Sequence, residues 1–236
     1  MKGKNMNNNI SNKVNKKTLL FILIFTALGI MAMQIPLFTL IGSKAKLTVF
    51  DMFAPTVGGF IGGLPGMIAV FLMQLANWVA HGSNFADKAA FIRLFPMMFA
   101  ALYFAKKNLL NLIIPLLCMI AFNLHPIGRS AWYYSLYWLI PVACYFLQDR
   151  YLFARSLGST FTAHAIGSTI SLWTFGLSKA IWISLVPVVA MERGLFAIGI
   201  MVSYLVFNNM LNYLVQKRIV KYDWLVAQKY VLKWSN

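Results

Sequence analysis

Acidic residues, and charged residues in general, are scarce in this sequence. It contains five Asp and Glu against 21 Lys and Arg, and 11% of its residues are charged, about half of what a soluble domain usually carries. So few carboxylates leave little material for a metal-dependent enzyme, and no HExxH, Walker or acidic metal-binding motif occurs. We therefore predict no catalytic residue, no metal site and no cofactor.

Cysteine is almost absent as well. The two cysteines, Cys118 and Cys144, each lie inside an apolar block. Their spacing is not typical of a zinc or redox site, so we expect both to act as small buried hydrophobic side chains.

Long apolar blocks are what the sequence has in abundance, since 60% of its residues are hydrophobic. They predict an all-α membrane protein, a polytopic bundle of six to eight transmembrane helices in a lipid bilayer. Residues 1–17 are expected to form a disordered basic cytoplasmic tail, residues 18–215 the transmembrane domain, and residues 216–236 a basic amphipathic cytoplasmic tail. The predicted spans are 18–41, 48–64, 66–80, 89–105, 109–124, 131–147, 156–174 and 180–214.

The basic residues predict the orientation of the chain. With the N-terminus inside, the inner segments hold 14 Lys and Arg and the outer segments hold five. This bias favours a multi-pass protein of the cell membrane with both termini in the cytoplasm. Because the basic residues stand at the ends of apolar blocks and not on one soluble face, the net charge of +16 does not indicate a nucleic-acid partner.

Three of the apolar blocks depart from the length of an ordinary span. Blocks 48–64 and 66–80 are short, and Gly/Pro-interrupted segments of this kind are typical of transporter binding sites. Block 180–214 is too long for one crossing of about 30 Å. It either extends into the cytoplasm or breaks near Pro187 or Gly194.

Ionisable side chains within the apolar blocks are costly, so each one is a candidate for function. Asp51, Arg93, His164, Glu192 and Arg193 belong to this group. Glu192 and Arg193 either form a buried ion pair that fixes helix packing or act as a coupling or gating pair. Since neighbours on a helix point about 100° apart, we expect Glu192 and Arg193 each to have a partner elsewhere. For Arg93, the candidate ion-pair partners are Asp51 and Asp87.

Small residues recur every four positions in block 156–174. They predict close approach of another helix, either within the chain or from a partner subunit, or a lined cavity. The residues predicted to pack against a partner helix are Ser159, Ala163, Gly167 and Ser171, with Gly58 and Gly62 in block 48–64.

A solute pocket requires polar side chains that converge near one membrane surface. Several polar and aromatic residues fall in the predicted outer half, although the aromatic ones also fit an interfacial belt. We predict that the substrate is bound by Gln74, Asn77, Arg93, Asn123, Trp132 and His164.

Segment 51–63, which reads DMFAPTVGGFIGG, resembles the early helices of the substrate-binding S components of energy-coupling factor (ECF) transporters. IRLFP at 92–96 and LVPV at 185–188, with Glu192 and Arg193 after it, also look like stretches of these proteins. The resemblance covers about half of the chain. It implies a helical protein that captures a vitamin-like micronutrient from outside and docks on a transmembrane coupling subunit with ATPases.

Two other functions compete with solute transport. One is a non-transporting membrane scaffold or assembly factor. The other is an intramembrane hydrolase, because the sequence around His164 is similar to the histidine helix of rhomboid proteases. That chemistry needs a serine in a GxSG turn, and no GxSG occurs in the chain.

Overall fold

The computed structural model describes residues 16–39, 46–82, 86–218 and 223–232. Nearly all of the predicted N-terminal tail lies outside these ranges. The described helices are α1 Lys16–Met33, α2 Phe50–Ile61, α3 Gly63–Ala80, α4 Lys88–Ile92, α5 Pro96–Ala105, α6 Leu110–Leu124, α7 Pro126–Ser130, α8 Leu139–Leu147, α9 Leu152–Phe175 and α10 Lys179–Gln216. Three short 3-10 helices are Trp132–Trp138, Asp223–Leu225 and Gln228–Tyr230.

The helical class predicted from the sequence is confirmed. Within the described ranges, three helical stretches are long and apolar enough to cross a membrane: Gly63–Ala80, Lys88–Ala105 and Lys179–Gln216. Others are apolar but shorter, such as α6 with 15 residues. This architecture suggests a multi-pass membrane protein, and the number of six to eight spans stays a prediction.

The first predicted span, 18–41, is shorter in the structure. Helix α1 ends at Met33, and Pro36–Thr39 form strand β1, which pairs antiparallel with strand β2, Lys46–Thr48. Proline restricts the residue before it to extended conformations and donates no backbone hydrogen bond, so Pro36 ends the helical run.

Helix α2 lies in the interior of the bundle. Nine of its 12 residues are buried, and it joins α3 through Gly62 alone, whose φ of 93° favours glycine. A Cβ on Gly58 would overlap the Ala101 carbonyl of α5, and one on Gly66 would lie 2.6 Å from the Gly58 Cα. Helix α2 is about 18 Å long, which is too short to cross the bilayer on its own. Because α3 and α5 pack this closely on it, they shield its backbone from lipid.

Helix α10 runs unbroken through Pro187 and Gly194 for 38 residues, about 57 Å. The break considered at these two residues is therefore wrong, and the block is one long helix. The Tyr137 hydroxyl donates to the Val186 carbonyl at 2.8 Å. Tyr137, from the 3-10 helix Trp132–Trp138, thus contacts α10 beside Pro187.

Residues 223–232 lie against the C-terminal half of α10. The Asn208 amide donates to the Ala227 carbonyl at 3.1 Å and accepts from the Ala227 amide at 2.8 Å. Asn209 bonds the Tyr230 carbonyl and the Leu232 amide in the same way. Part of the predicted amphipathic tail is therefore held on the bundle as extended chain with two short 3-10 turns.

Candidate functional site

A cavity of about 610 Å³ opens among α2, α3, α4, α5, α9 and α10. It is bounded by the first turn of α2, the C-terminal half of α9 and the N-terminal half of α10. Its lining includes six of the residues singled out in the sequence for their polar side chains: Asp51, Gln74, Arg93, His164, Glu192 and Arg193.

Glu192 and Arg193 form the most deeply buried charged pair of the cavity, at 5% and 6% exposure. The Arg193 Nη2 atom lies 3.5 Å from the Glu192 carboxylate, and Nη1 lies 3.3 Å from the Thr160 hydroxyl. The expectation that each has a partner elsewhere holds for Arg193, through Thr160. Among the described residues, Glu192 pairs with its neighbour Arg193 instead. The Arg193 Nε atom is buried with no acceptor among the described residues.

Asp51 is held at the start of α2. Its Oδ2 atom accepts from the Thr48 amide at 2.7 Å and from the Thr48 hydroxyl at 3.3 Å. A carboxylate in the first turn of a helix is also stabilised by the positive end of the helix dipole. The N-terminus of α2 thus satisfies the Asp51 charge locally.

His164 is the centre of a hydrogen-bonded group on the cavity wall. The Trp138 indole N–H donates to His164 Nδ1 at 3.2 Å, and the Tyr134 hydroxyl lies 2.8 Å from Nε2. Because an indole nitrogen only donates, Nδ1 is the acceptor and the proton of the neutral ring sits on Nε2. Nε2 then donates to the Tyr134 hydroxyl, which also lies 3.4 Å from the Ser168 hydroxyl.

Gln74 and Arg93 close the cavity on the side of α3 and α4. The Gln74 amide donates to the Leu94 carbonyl at 3.0 Å, which ties α3 to the turn between α4 and α5. Arg93 lies in that turn and is half-buried. Among the described residues it pairs with neither Asp51 nor Asp87, so the ion pair considered from the sequence is not present there.

One wall of the cavity is apolar. It is formed by Phe175, Leu177, Ile181, Trp182, Leu185 and Val189. Trp182 is held edge-on against Tyr134 and Phe122, with ring centroids 4.9 and 5.1 Å apart. These contacts fix the orientation of the indole, so this wall presents a rigid aromatic surface about three helical turns before Arg193 on α10.

Three of the predicted substrate-binding residues lie outside this lining. Asn77 accepts from the Gln34 amide at 3.0 Å, and Asn123 donates to Ser135 at 2.9 Å. Trp132 is 56% exposed and packs edge-on with Tyr133. The structure gives each of these side chains a local contact away from the cavity.

The small-residue stripe of α9 packs against α5 of the same chain. The Ser159 hydroxyl donates to the Ala100 carbonyl at 2.7 Å, and a Cβ on Gly167 would lie 3.4 Å from the Pro96 ring. Ala163 and Ser171 line the cavity. Gly58 packs on α5, whereas Gly62 makes a turn in which nothing lies within 4 Å of its Cβ position.

Tyr134 and Trp182 are cavity residues that the sequence did not single out. Tyr134 belongs to the aromatic run Trp132–Trp138, which is typical of an interfacial belt, and Trp182 belongs to a uniformly apolar block.

In the described part of the chain, no three His, Cys, Asp or Glu side chains are grouped to hold a metal ion. The arrangement is suited to binding a small amphipathic molecule, because one cavity offers both charged groups and an aromatic surface. Comparisons of the chain with known protein families, with curated proteins and with solved structures found no match.

Proposed function

We propose that this protein is a membrane transport component that binds a small, vitamin-like solute from the outer side and depends on partner subunits for ATP-driven uptake. The cavity beside α2 carries the proposal. Buried Asp51, Glu192 and Arg193 are costly in a membrane protein, and all three line one cavity of a size typical of small-molecule sites.

The proposed topology has six to eight spans with both termini in the cytoplasm. The position of basic residues supports it. Lys229 donates to the Asp149 carbonyl at 2.7 Å, Lys107 lies 4.0 Å from the Asp149 carboxylate, and Arg155 donates to the Phe104 and Ala105 carbonyls. These residues gather at the end of the bundle away from the cavity, so the positive-inside rule puts the cavity toward the outside.

Partner subunits follow from the absence of an ATP-binding motif in the chain and from the resemblance of segment 51–63 to ECF S components. A transmembrane coupling subunit with ATPases would supply the energy for uptake. The protein itself would capture the solute and release it on the inner side.

Thermal unfolding of the purified protein in detergent, with a panel of water-soluble vitamins, tests the proposal. A ligand present at 100 times its Kd stabilises the folded state by about 2.7 kcal/mol, so one compound should raise the unfolding temperature. Ser171→Trp, which fills the cavity, should abolish that shift. Ser184→Trp, on an exposed part of α10 outside the lining, should retain it.

The alternatives give different results. A protein that carries no small molecule, shows no shift with any compound and co-purifies one stoichiometric membrane partner would contradict transport and favour the scaffold. A shift that survives in Ser171→Trp would contradict this cavity as the site.

A further inference from the structure

The hydrogen-bonding groups of the cavity are unevenly satisfied. Its carboxylates are engaged: Asp51 accepts two hydrogen bonds from Thr48, and Glu192 is paired with Arg193. His164 Nδ1 accepts from Trp138. Both guanidinium groups keep donors that have no acceptor among the described residues, and a ligand that brings acceptors would complete them.

The Arg193 Nε atom is one of these open donors. It is completely buried, and no described residue accepts its proton, although Nη1 and Nη2 of the same group bond Thr160 and Glu192. A buried donor without a partner is costly, and native structures rarely leave one unless a water or a ligand completes it. Arg193 lines the cavity, but its Nε atom is buried beneath the cavity surface, so Arg93 is the guanidinium that a ligand meets first.

Arg93 is the second residue with open donors, and it is half-buried in the cavity lining. Its guanidinium forms no hydrogen bond and no ion pair with the described residues. The two carboxylates and the two guanidinium groups of the lining balance in number, but Glu192 is paired with Arg193 and Asp51 is held by Thr48 at the start of α2. Arg93 is therefore the guanidinium of the cavity that has no carboxylate in contact.

The apolar wall determines the chemical character of the remaining part of the ligand. Trp182, Leu185 and Val189 offer no charged group and face the same space. A ligand that fits both walls has an anionic end and an apolar body. Planar bidentate pairing makes a carboxylate the best match for a guanidinium.

We propose that the cavity binds an amphipathic carboxylate, with the carboxylate on the Arg93 guanidinium and the apolar body along Trp182. This inference rests on the proposed function, because it names the chemical class of the solute. A fatty acid from the lipid phase shares the same chemistry, so the experiment must separate the two sources.

Naphthylacetate and its neutral amide, naphthylacetamide, are suitable probes because they differ in charge and little in shape. Calorimetric titration in detergent gives the ratio of the amide Kd to the acid Kd for each variant. We expect a ratio of about ten or more in the wild type, reduced to near one in Arg93→Gln and partly retained in Arg93→Lys. Arg129→Gln, which removes an exposed guanidinium outside the cavity, should keep the wild-type ratio. Partitioning of the probes into micelles is the same for all variants and cancels in this comparison.

Equal binding of acid and amide by the wild type, or an unchanged ratio in Arg93→Gln, would overturn carboxylate recognition and leave the proposed transport function intact. If palmitate displaces the acid and no water-soluble carboxylate does, the ligand comes from the lipid phase, and the transport function fails while carboxylate recognition stands. If neither probe binds, mass spectrometry of compounds released from the purified protein decides: a carboxylate supports the inference, a neutral or cationic compound overturns it, and no compound at all overturns both proposals.

Discussion

Trp138 and Tyr134 contact both ring nitrogens of His164. Both residues come from the 3-10 helix Trp132–Trp138 and place their polar atoms 3.2 and 2.8 Å from the two ring nitrogens. The histidine therefore orders two aromatic side chains on the cavity wall, and its described hydrogen bonds involve no serine directly. This arrangement gives the intramembrane hydrolase hypothesis no support.

Replacing His164 with phenylalanine should destabilise the protein. The substitution keeps a ring in place but leaves the Trp138 indole N–H and the Tyr134 hydroxyl without this partner, and a buried unsatisfied group costs about 1–3 kcal/mol. Thermal unfolding in detergent should show a clearly lower midpoint for His164→Phe.

His81→Phe is the matched control, because His81 is exposed and bonds only its own helix, at the Asn77 carbonyl. It should unfold within a degree or two of the wild type. Equal midpoints for the two variants would show that the contacts of His164 contribute little to stability.

Glu192 and Arg193 form a buried ion pair on the cavity wall. The two residues are adjacent, yet the flexible arginine side chain folds back to 3.5 Å from the carboxylate. A buried pair of this kind is not by itself evidence of a large gain in stability, since removing two charges from water costs about as much as their attraction returns. Their position on the cavity wall is the feature that favours a role in binding.

At the scale of elements, glycine allows α2 to pass between α3 and α5. Gly58 touches the Ala101 backbone, which belongs to α5 and is unable to retreat without moving the helix. The short α2 buries nine of its 12 residues in the bundle, and its first turn holds Asp51 at the cavity.

Gly58→Ala should therefore destabilise the bundle by about 1–3 kcal/mol through overpacking. Gly194→Ala is the control, because a Cβ there meets nothing within 4 Å and alanine is the better helix former by about 1 kcal/mol. Denaturation in detergent should give opposite signs for the two variants. A stable Gly58→Ala protein would contradict the tight contact between α2 and α5.

The C-terminal segment is a second element whose attachment is simple to test. Asn208→Ala removes both hydrogen bonds to Ala227, worth about 1 kcal/mol each. We expect trypsin to cleave at Lys229 at least several times faster, because local opening exposes the chain. The global unfolding midpoint should change little.

Gln228→Ala, an exposed position in the same segment, should be cleaved at the wild-type rate. Unchanged cleavage of Asn208→Ala would mean that other contacts hold the segment.

At the scale of the whole molecule, the two ends of the bundle differ in charge and in structure. One end carries the cavity, and the other carries Lys107, Arg155 and Lys229 in contact with backbone carbonyls, a carboxylate or both. The predicted orientation places the second end in the cytoplasm.

Cysteine labelling in intact cells checks this orientation. Arg129→Cys and Arg150→Cys, each in a background with Cys118 and Cys144 replaced by alanine, present exposed thiols at opposite ends. A membrane-impermeant maleimide should label residue 129 and leave residue 150 unlabelled until the cells are opened. The reverse pattern would place the N-terminus outside the cell and the cavity toward the cytoplasm.

The sequence alone determined the helical class, the apolar character of the helices and which polar side chains are costly to bury. These properties follow from local composition, because hydrophobic blocks and the charges at their ends are sums over neighbouring residues. For the same reason, the sequence identified candidate site residues without any knowledge of their neighbours in the fold. Those that line the cavity are Asp51, Gln74, Arg93, His164, Glu192 and Arg193.

Only the tertiary structure decided which candidates meet. Gln74 lines the cavity while Asn77, one turn away on α3, bonds Gln34 instead, and Tyr134 reaches His164 from 30 residues away. Convergence depends on how each helix is rotated and where it crosses its neighbours, and these are set by packing between residues that are distant in the chain. The small-residue stripe of α9 shows the same limit, since its spacing predicted a close helix contact but only the packed bundle identified α5 as the neighbour.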